Sequence, residues 1–381
     1  MIKVLSIFGT RPEAIKMAPL VKALESHEAF ESKVCVTAQH REMLDQVLKI
    51  FAITPDYDLD IMKNRQTLTD ITTNALIGLE NVIREYQPDV VLVHGDTTTT
   101  FVGSLAAFYN KVKVGHVEAG LRTFNKYFPF PEELNRKLTG VIADLHFAPT
   151  DNAKQNLLRE GIEAEGIFVT GNTAIDALKT TVKKDFQFDS PLLQQLDYQT
   201  KRVIAVTAHR RENIGEPLYN ICNALKYIAE KYEDVEVIYA VHKNPAVREI
   251  ANEVLGNCPR VHLLEPLDAE EMHNLMDRSY LVLTDSGGLQ EEAPSLGKPV
   301  LVVRNETERP EAIEFGTLKL AGTDKDNIIK LIEELLNDET EYRKMANAVN
   351  PYGDGTASQR IVESLLYHFE KRQTRPVDFK A

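Results

Sequence analysis

The chain of 381 residues is long enough for two domains, and its composition is that of an ordinary globular protein. Asp and Glu number 57 against 44 Lys and Arg, so the formal net charge is −13. This negative excess disfavours nucleic acid or an anionic membrane as a partner. A phosphate ligand would therefore have to be held by local basic side chains or backbone N–H groups.

The cysteines and the apolar segments indicate the compartment. Cys35, Cys222 and Cys258 form no CxxC pair, which disfavours a disulfide framework or a thiolate metal site. The apolar stretch near the N-terminus is too short for a signal peptide, and no run of about 18 apolar residues follows. We therefore expect a cytoplasmic protein.

Short apolar runs alternate with helical stretches, which is typical of a parallel sheet with crossover helices. The predicted strands are 3–8, 33–37, 89–94, 113–117, 145–148 and 167–169, then 202–207, 235–241, 261–263, 280–284, 299–303 and 317–320. We predict two doubly wound, Rossmann-like α/β domains that face a cleft. They cover residues 1–170 and 201–355, with a connection over 171–200, and an amphipathic helix over 356–372 is expected to join the first domain.

Ligands of open parallel sheets bind beyond the carboxyl ends of the strands. After the first strand, a Gly turn and Pro12 open a helix that carries Arg11 and Lys16, which suits an anionic ligand. A βα turn with solvated charges explains this segment about equally well.

Three acids follow later strands of the first domain. Asp96, Glu118 and Glu132 lie on strand-end loops, where carboxylates are candidates for proton transfer. Each has a structural alternative: a helix N-cap for Asp96, which alone is the more frequent role, a surface charge for Glu118 and an ordinary first-turn helix acid for Glu132.

The second domain carries the pattern of a phosphate site. His209 lies in a cationic turn at the end of a predicted strand, where its ring can donate a hydrogen bond to a phosphate. The turn Ser286-Gly287-Gly288 opens a helix and predicts a diphosphate on backbone N–H groups, which Arg309 can also reach. Glu292, one helical turn along, suits the two hydroxyls of a ribose, although it could be a solvated helix charge.

Several motifs are missing from the sequence. It has no GxGxxG, no GxxxxGK[ST], no HExxH and no Cys/His cluster, which disfavours a redox dinucleotide, ATP hydrolysis and zinc chemistry. We expect neither NAD nor a metal. The residues alone leave glycosyl transfer, hydrolysis and epimerisation of a nucleotide-linked substrate open.

Seven motifs in this order resemble the non-hydrolysing UDP-N-acetylglucosamine 2-epimerases of bacteria, whose fold is similar to glycosyltransferase B. They are GTRPE at 9–13, HGDT at 94–97, VEAGLR at 117–122, FPEE at 130–133, HRREN at 209–213, DSGG at 285–288 and ERPE at 308–311. The resemblance covers nearly the whole chain. It implies interconversion of UDP-N-acetylglucosamine and UDP-N-acetylmannosamine through elimination of UDP, a 2-acetamidoglucal intermediate and re-addition, with no cofactor.

The resemblance also assigns roles by position. Asp96, Glu118 and Glu132 become acid/base candidates, two of them serving opposite faces of C2, and His209 assists the departing phosphate. The residues expected to hold UDP are Arg11, Lys16, Ser286, Gly287, Gly288, Glu292 and Arg309.

Bacterial members are similar in using a second substrate molecule as an allosteric activator. Its candidate site is Gln39, His40, Arg65, Arg210 and His242. A homodimer and a role in cell-surface polysaccharide such as teichoic acid or capsule are expected as well. The alternatives are a hydrolysing epimerase that releases N-acetylmannosamine and UDP, or a glycosyltransferase of the same fold; the retained acids disfavour a non-catalytic nucleotide-sugar sensor.

Overall fold

The computed structural model describes residues 1–38, 41–62, 66–307 and 309–381, without the side chains of residues 42 and 43. The chain divides into two compact units. Unit 1 comprises Met1–Thr180 and Tyr352–Ala381, and unit 2 comprises Thr181–Pro351.

Unit 1 contains a seven-stranded parallel sheet in the order β3-β2-β1-β4-β5-β6-β7. Its strands are β1 (Ile2–Phe8), β2 (Phe30–Val36), β3 (Tyr57–Asp58), β4 (Val90–His94), β5 (Lys113–Val117), β6 (Leu145–Ala148) and β7 (Ile167–Val169). Its first helices are α1 (Arg11–Glu25), α2 (Arg41–Ile50), α3 (Leu68–Tyr86), α4 (Thr98–Tyr109), α5 (Glu132–Ile142), α6 (Asp151–Arg159) and α7 (Thr173–Thr181). Connection order reverses between β1 and β4, which is where such sheets bind ligands.

Unit 2 contains a six-stranded parallel sheet in the order β10-β9-β8-β11-β12-β13. Its strands are β8 (Arg202–Thr207), β9 (Val235–Ala240), β10 (Val261–Leu264), β11 (Leu281–Thr284), β12 (Val300–Val302) and β13 (Leu318–Leu320). Its helices are α8 (Pro191–Gln195), α9 (Glu216–Lys231), α10 (Pro245–Leu255), α11 (Ala269–Arg278), α12 (Gly287–Ser295), α13 (Pro310–Glu314), α14 (Lys325–Asn337) and α15 (Glu339–Ala346). The corresponding reversal lies between β8 and β11.

The last helix, α16 (Ala357–His368), returns to unit 1 and packs on α1, with Ile361 and Leu365 fully buried in the unit 1 core. The boundaries between the units lie between residues 180 and 181 and between residues 351 and 352. The connection expected over 171–200 is therefore divided: 171–180 belong to unit 1 and 181–200 to unit 2. One contact that keeps residues 171–180 and 352–355 in unit 1 is the 2.6 Å hydrogen bond from Asn172 N to Tyr352 O.

The predicted fold class is confirmed. Every predicted strand has a counterpart whose ends shift by three residues at most. The two-residue strand β3, at the edge of the unit 1 sheet, was not predicted. In the described part of the chain, no helix is both long and apolar enough to cross a membrane.

Candidate active site

Glu118 follows β5 and lies at the centre of a buried polar cluster in unit 1. Its Oε2 accepts hydrogen bonds from the Lys16 ammonium and, at 2.9 Å, from Asn172 Nδ2. His94 Nε2 is 3.8 Å from the same oxygen. The φ angle of Glu118 is +63°, an uncommon conformation for a residue with a Cβ atom, so the surrounding contacts hold this carboxylate in a defined turn.

The electrostatics of the cluster keep Glu118 charged. Burial raises the pKa of this carboxyl, but the Lys16 ammonium, His94 and the hydrogen bonds outweigh burial, so the pKa lies below its usual range. Burial lowers the pKa of His94 to about 4, so its ring is neutral at pH 7. Neither ring nitrogen of His94 has a hydrogen-bond partner among the described residues. Glu118 is therefore a carboxylate that can accept a proton.

Asp96 comes two residues after β4 and contacts α5. The Arg136 guanidinium pairs with its carboxylate, and Asn135 Nδ2 donates to its main-chain oxygen at 2.9 Å. The alternative role of Asp96 as a helix N-cap is wrong, because Thr97 is the N-cap of α4 and accepts from Thr100 N at 3.1 Å. The Asp96 carboxylate thus serves no helix cap.

Glu132 and Glu133 open α5 but have different surroundings. Glu133 is fully buried, and its carboxylate accepts hydrogen bonds from Thr123 N and Phe124 N at 3.1 and 3.0 Å. Glu133 therefore stabilises the preceding loop. Glu132 Oε2 is buried without a hydrogen-bond partner among the described residues. Of the two acids, Glu132 has the carboxyl that is available to a ligand.

Glu13 fastens the turn after β1 to the start of α4. Its Oε2 accepts from two main-chain N–H groups of this turn at 3.1 and 2.8 Å. Its Oε1 accepts from the Thr97 and Thr100 hydroxyls at 2.7 and 3.1 Å. This fixes the helix start that carries Arg11, whose partly buried side chain forms no ion pair with the described residues.

Asp285 organises the corresponding loops of unit 2. It follows β11 and is fully buried, and its Oδ2 accepts from His209 N at 2.7 Å, Arg210 N at 2.8 Å and Asn213 Nδ2 at 3.0 Å. One buried carboxylate therefore sets the position of the whole turn after β8.

His209 is the partly exposed member of this arrangement. Its Nδ1 is 3.6 Å from Asp285 Oδ1, and its ring stacks on His242 with centroids 5.0 Å apart and planes at 12°. Burial is the main cause that lowers the pKa of His209; Asp285 raises this pKa, whereas His242 and Arg210 lower it further. A bound phosphate would raise this pKa and favour a protonated ring.

The start of α12 has the geometry of an anion site. Ser286 precedes the helix, and Gly287 and Gly288 are its first residues, whose N–H groups have no partner within the helix. A Cβ atom on Gly287 would lie 2.7 Å from Arg309 Nη1, so the guanidinium is directly against the turn. Arg309 is itself held by Glu291, with Nε to Oε1 at 2.6 Å.

Glu292 lies one turn along α12 and is buried, so its alternative as a solvated helix charge is wrong. Its Oε2 is 3.4 Å from His273 Nε2. Its Oε1 would be 3.5 Å from a Cβ atom on Gly288, so this oxygen lies beside the Gly287-Gly288 turn. The predicted UDP residues of unit 2 are thus brought together.

Two of the five candidate residues for the activator site lie in the described part of the chain. Gln39, His40 and Arg65 lie outside the described residues. Arg210 and His242 both lie at the His209 turn of unit 2. Where the chain is described, no three His, Cys, Asp or Glu side chains are grouped so as to hold a metal ion.

The side chains of these sites that were not predicted include Asn172, Arg136 and His273. Asn172 follows β7, so the rule that ligands bind at strand ends could have found it. Arg136 lies in the loop-helix segment after β5, but its pairing with Asp96 is a tertiary contact 40 residues apart. His273 is in the middle of α11, where no local pattern marks it.

Comparisons with known proteins identify the family. The family model described as UDP-N-acetylglucosamine 2-epimerase matches residues 22–366. The UDP-N-acetylglucosamine 2-epimerase of Bacillus subtilis is 61% identical over 378 residues, which is 99% of this chain and 98% of that protein.

Solved structures agree with this match. The UDP-GlcNAc 2-epimerase of Neisseria meningitidis, bound to UDP-GlcNAc, is 52% identical with a TM-score of 0.88 over 96% of this chain and 100% of that chain. S. aureus MnaA, in a co-structure with UDP, is 53% identical with a TM-score of 0.90 over 100% of both chains. The chain belongs to the UDP-N-acetylglucosamine 2-epimerase family of isomerases.

Proposed function

We propose that the protein interconverts UDP-N-acetylglucosamine and UDP-N-acetylmannosamine without hydrolysing either. The observation that carries this proposal is the buried Glu118 carboxylate, which Lys16 keeps charged at the end of β5. The Neisseria and S. aureus structures, which contain UDP-GlcNAc and UDP respectively, support a nucleotide-sugar ligand. We expect the reaction in the cytoplasm, as a supply of N-acetylmannosamine units for cell-surface polysaccharide.

The proposed chemistry is elimination followed by re-addition. A carboxylate takes the C2 proton, the C1–C2 double bond of 2-acetamidoglucal forms, and the electron pair of the C1–O bond leaves with UDP. The UDP oxygen then bonds to C1 again while a proton reaches the other face of C2. The reaction is redox-neutral and consumes no water, and neither step transfers a hydride, so we propose that it uses neither NAD nor a metal.

Unit 1 would handle the proton. The Lys16 ammonium favours the charged form of Glu118, which can accept a proton. Asp96 is paired with Arg136, and Glu132 has an oxygen without a partner among the described residues. We assign proton exchange on the two faces of C2 to this set. Lys16 was expected to hold UDP. Because it forms an ion pair with Glu118, we instead propose that it keeps the Glu118 carboxylate charged.

Unit 2 would hold the nucleotide. The diphosphate lies on the start of α12 and Arg309, and Glu292 accepts hydrogen bonds from the ribose hydroxyls. His209 donates a hydrogen bond to the phosphate that leaves C1. This hydrogen bond stabilises the transition state most strongly because negative charge develops on that phosphate. Arg210 and His242 remain our candidates for binding a second, activating substrate molecule.

We also propose a homodimer, in which a second copy covers an apolar face of unit 1. Leu134, Leu138 and Val141 are 42%, 38% and 80% exposed and lie along one side of α5. Phe108 and Tyr109, at the end of the neighbouring α4, are exposed as well. Such a contiguous apolar patch is typical of a protein interface.

Proton NMR in deuterium oxide tests the reaction. We expect UDP-N-acetylglucosamine to yield UDP-N-acetylmannosamine with deuterium at C2 and little free sugar, because the C2 proton exchanges through the carboxylates. Accumulation of free N-acetylmannosamine and UDP would instead indicate a hydrolysing enzyme, and an unchanged spectrum would reject epimerase activity.

Glu118→Gln should lower kcat by about 100-fold or more, because the amide cannot accept the C2 proton. The affinity for UDP, measured by calorimetry, should stay unchanged because the main phosphate contacts lie in unit 2. Glu25→Gln, which removes an exposed acid of the same unit, is the matched control and should behave like the wild type. Normal turnover by Glu118→Gln would remove Glu118 from the mechanism.

Lys16→Met should shift the acidic limb of the kcat/KM against pH profile to higher pH. Loss of the ammonium raises the pKa of Glu118, so a larger fraction of this carboxyl is protonated and inactive on the acidic side. Lys22→Met, on the exposed side of the same helix, is the control. Two superimposable profiles would show that Lys16 does not tune Glu118.

Leu138→Glu combined with Val141→Glu should convert the dimer to monomers, because charges cannot be buried unpaired in an apolar interface. Sedimentation velocity measures the mass. Val349→Glu, at an exposed apolar site of unit 2, should leave the assembly unchanged. A wild-type protein that sediments as a monomer would contradict the proposal directly.

A further inference from the structure

A row of side chains within unit 2 connects the start of the unit with the predicted ribose site. Thr181 Oγ1 is 2.8 Å from His273 Nδ1, and His273 Nε2 is 3.4 Å from Glu292 Oε2. His273 is only 3% exposed, and Thr181 is fully buried. The imidazole therefore contacts one side chain through each of its two nitrogens, in a place that solvent does not reach.

We propose that His273 is a positioning residue that orients the Glu292 carboxylate toward the ribose hydroxyls of UDP. This inference rests on the proposed function of Glu292. The two carboxylate oxygens are differently placed: Oε2 faces His273, whereas Oε1 lies beside the Gly288 turn. Because the carboxylate is planar, holding one oxygen fixes the direction of the other.

The hydrogen-bond chemistry defines the tautomer of the ring. A carboxylate oxygen only accepts, so Nε2 must carry a hydrogen to interact favourably with Glu292. In a neutral ring, Nδ1 then accepts from the Thr181 hydroxyl. Asn274 Nδ2 donates to the main-chain oxygen of Thr181 at 2.7 Å, which fixes the far end of the row.

A purely structural role for His273 makes a different prediction. A histidine that only packs between α11 and α12 would stabilise the unit, and its loss would weaken every ligand alike. A positioning role acts through the ribose hydroxyls alone. The discriminating quantity is therefore the ratio of the affinities for UDP and 2′,3′-dideoxy-UDP, which has the same base and diphosphate but neither hydroxyl.

The experiment measures this ratio by calorimetry for the full-length wild type and a matched pair of variants. In His273→Gln, the side-chain amide nitrogen can take the place of Nε2 and still donate to Glu292. In His273→Asn, the shorter amide can replace only Nδ1. Thr181→Val removes the hydroxyl with little change in shape and provides a second approach if His273→Asn does not fold.

We expect the wild type to prefer UDP by about tenfold or more, since hydrogen bonds to a charged group are strong. His273→Gln should retain most of this preference. His273→Asn should lose most of it while binding 2′,3′-dideoxy-UDP like the wild type, and Thr181→Val should give an intermediate ratio.

The outcomes separate the two proposals. A wild-type ratio in both His273→Asn and Thr181→Val would overturn the positioning role of His273 and leave the ribose contact of Glu292 intact. Equal loss of affinity for both nucleotides in His273→Asn, with the ratio kept, would assign His273 a structural role only. A wild type that does not distinguish the two nucleotides would reject the ribose role of Glu292 and the inference with it.

Discussion

The ion pair between Lys16 and Glu118 is the interaction on which the proposed chemistry depends. A buried carboxylate without a partner would take up a proton, because burial penalises its charged form. Lys16 comes from the helix after β1, and Glu118 from the end of β5, with β4 between their strands in the sheet. The strand order therefore brings an ammonium to a carboxylate 102 residues away, and this pair keeps the proposed base charged.

The two units hold the turns of their proposed ligand sites in the same way. In each, one fully or almost fully buried carboxylate accepts two successive main-chain N–H groups at the strand-order reversal: Glu13 in unit 1 and Asp285 in unit 2. Such hydrogen bonds satisfy backbone donors that would otherwise be costly to bury. The turn is thus rigid before a ligand arrives, so less conformational entropy is lost on binding.

The strands, and the strand ends at which the proposed sites lie, could be predicted from the sequence, but the pairing of the side chains could not. Apolar runs mark buried strands, and carboxyl ends of parallel strands converge, which placed Asp96, Glu118 and Ser286 on ligand-facing loops. Strand β3 was missed because two partly exposed edge residues carry no apolar run. The partners Arg136 and His273 were not predicted because their roles arise from contacts between different secondary-structure segments, which local periodicity does not encode.

An unpartnered carboxylate oxygen in unit 2 could link nucleotide binding to the charge of His209. Asp285 Oδ1 is buried and has no hydrogen-bond partner among the described residues, yet it is only 3.6 Å from His209 Nδ1. Such a group costs about 1–3 kcal/mol while it is unsatisfied. A diphosphate at the start of α12 would raise the pKa of His209, and the protonated ring could then donate to Asp285 from one nitrogen and to the phosphate from the other. A neutral ring can donate to only one of these two acceptors, whereas the protonated ring donates to both, which would couple nucleotide binding to the protonation of the group that we propose assists its departure.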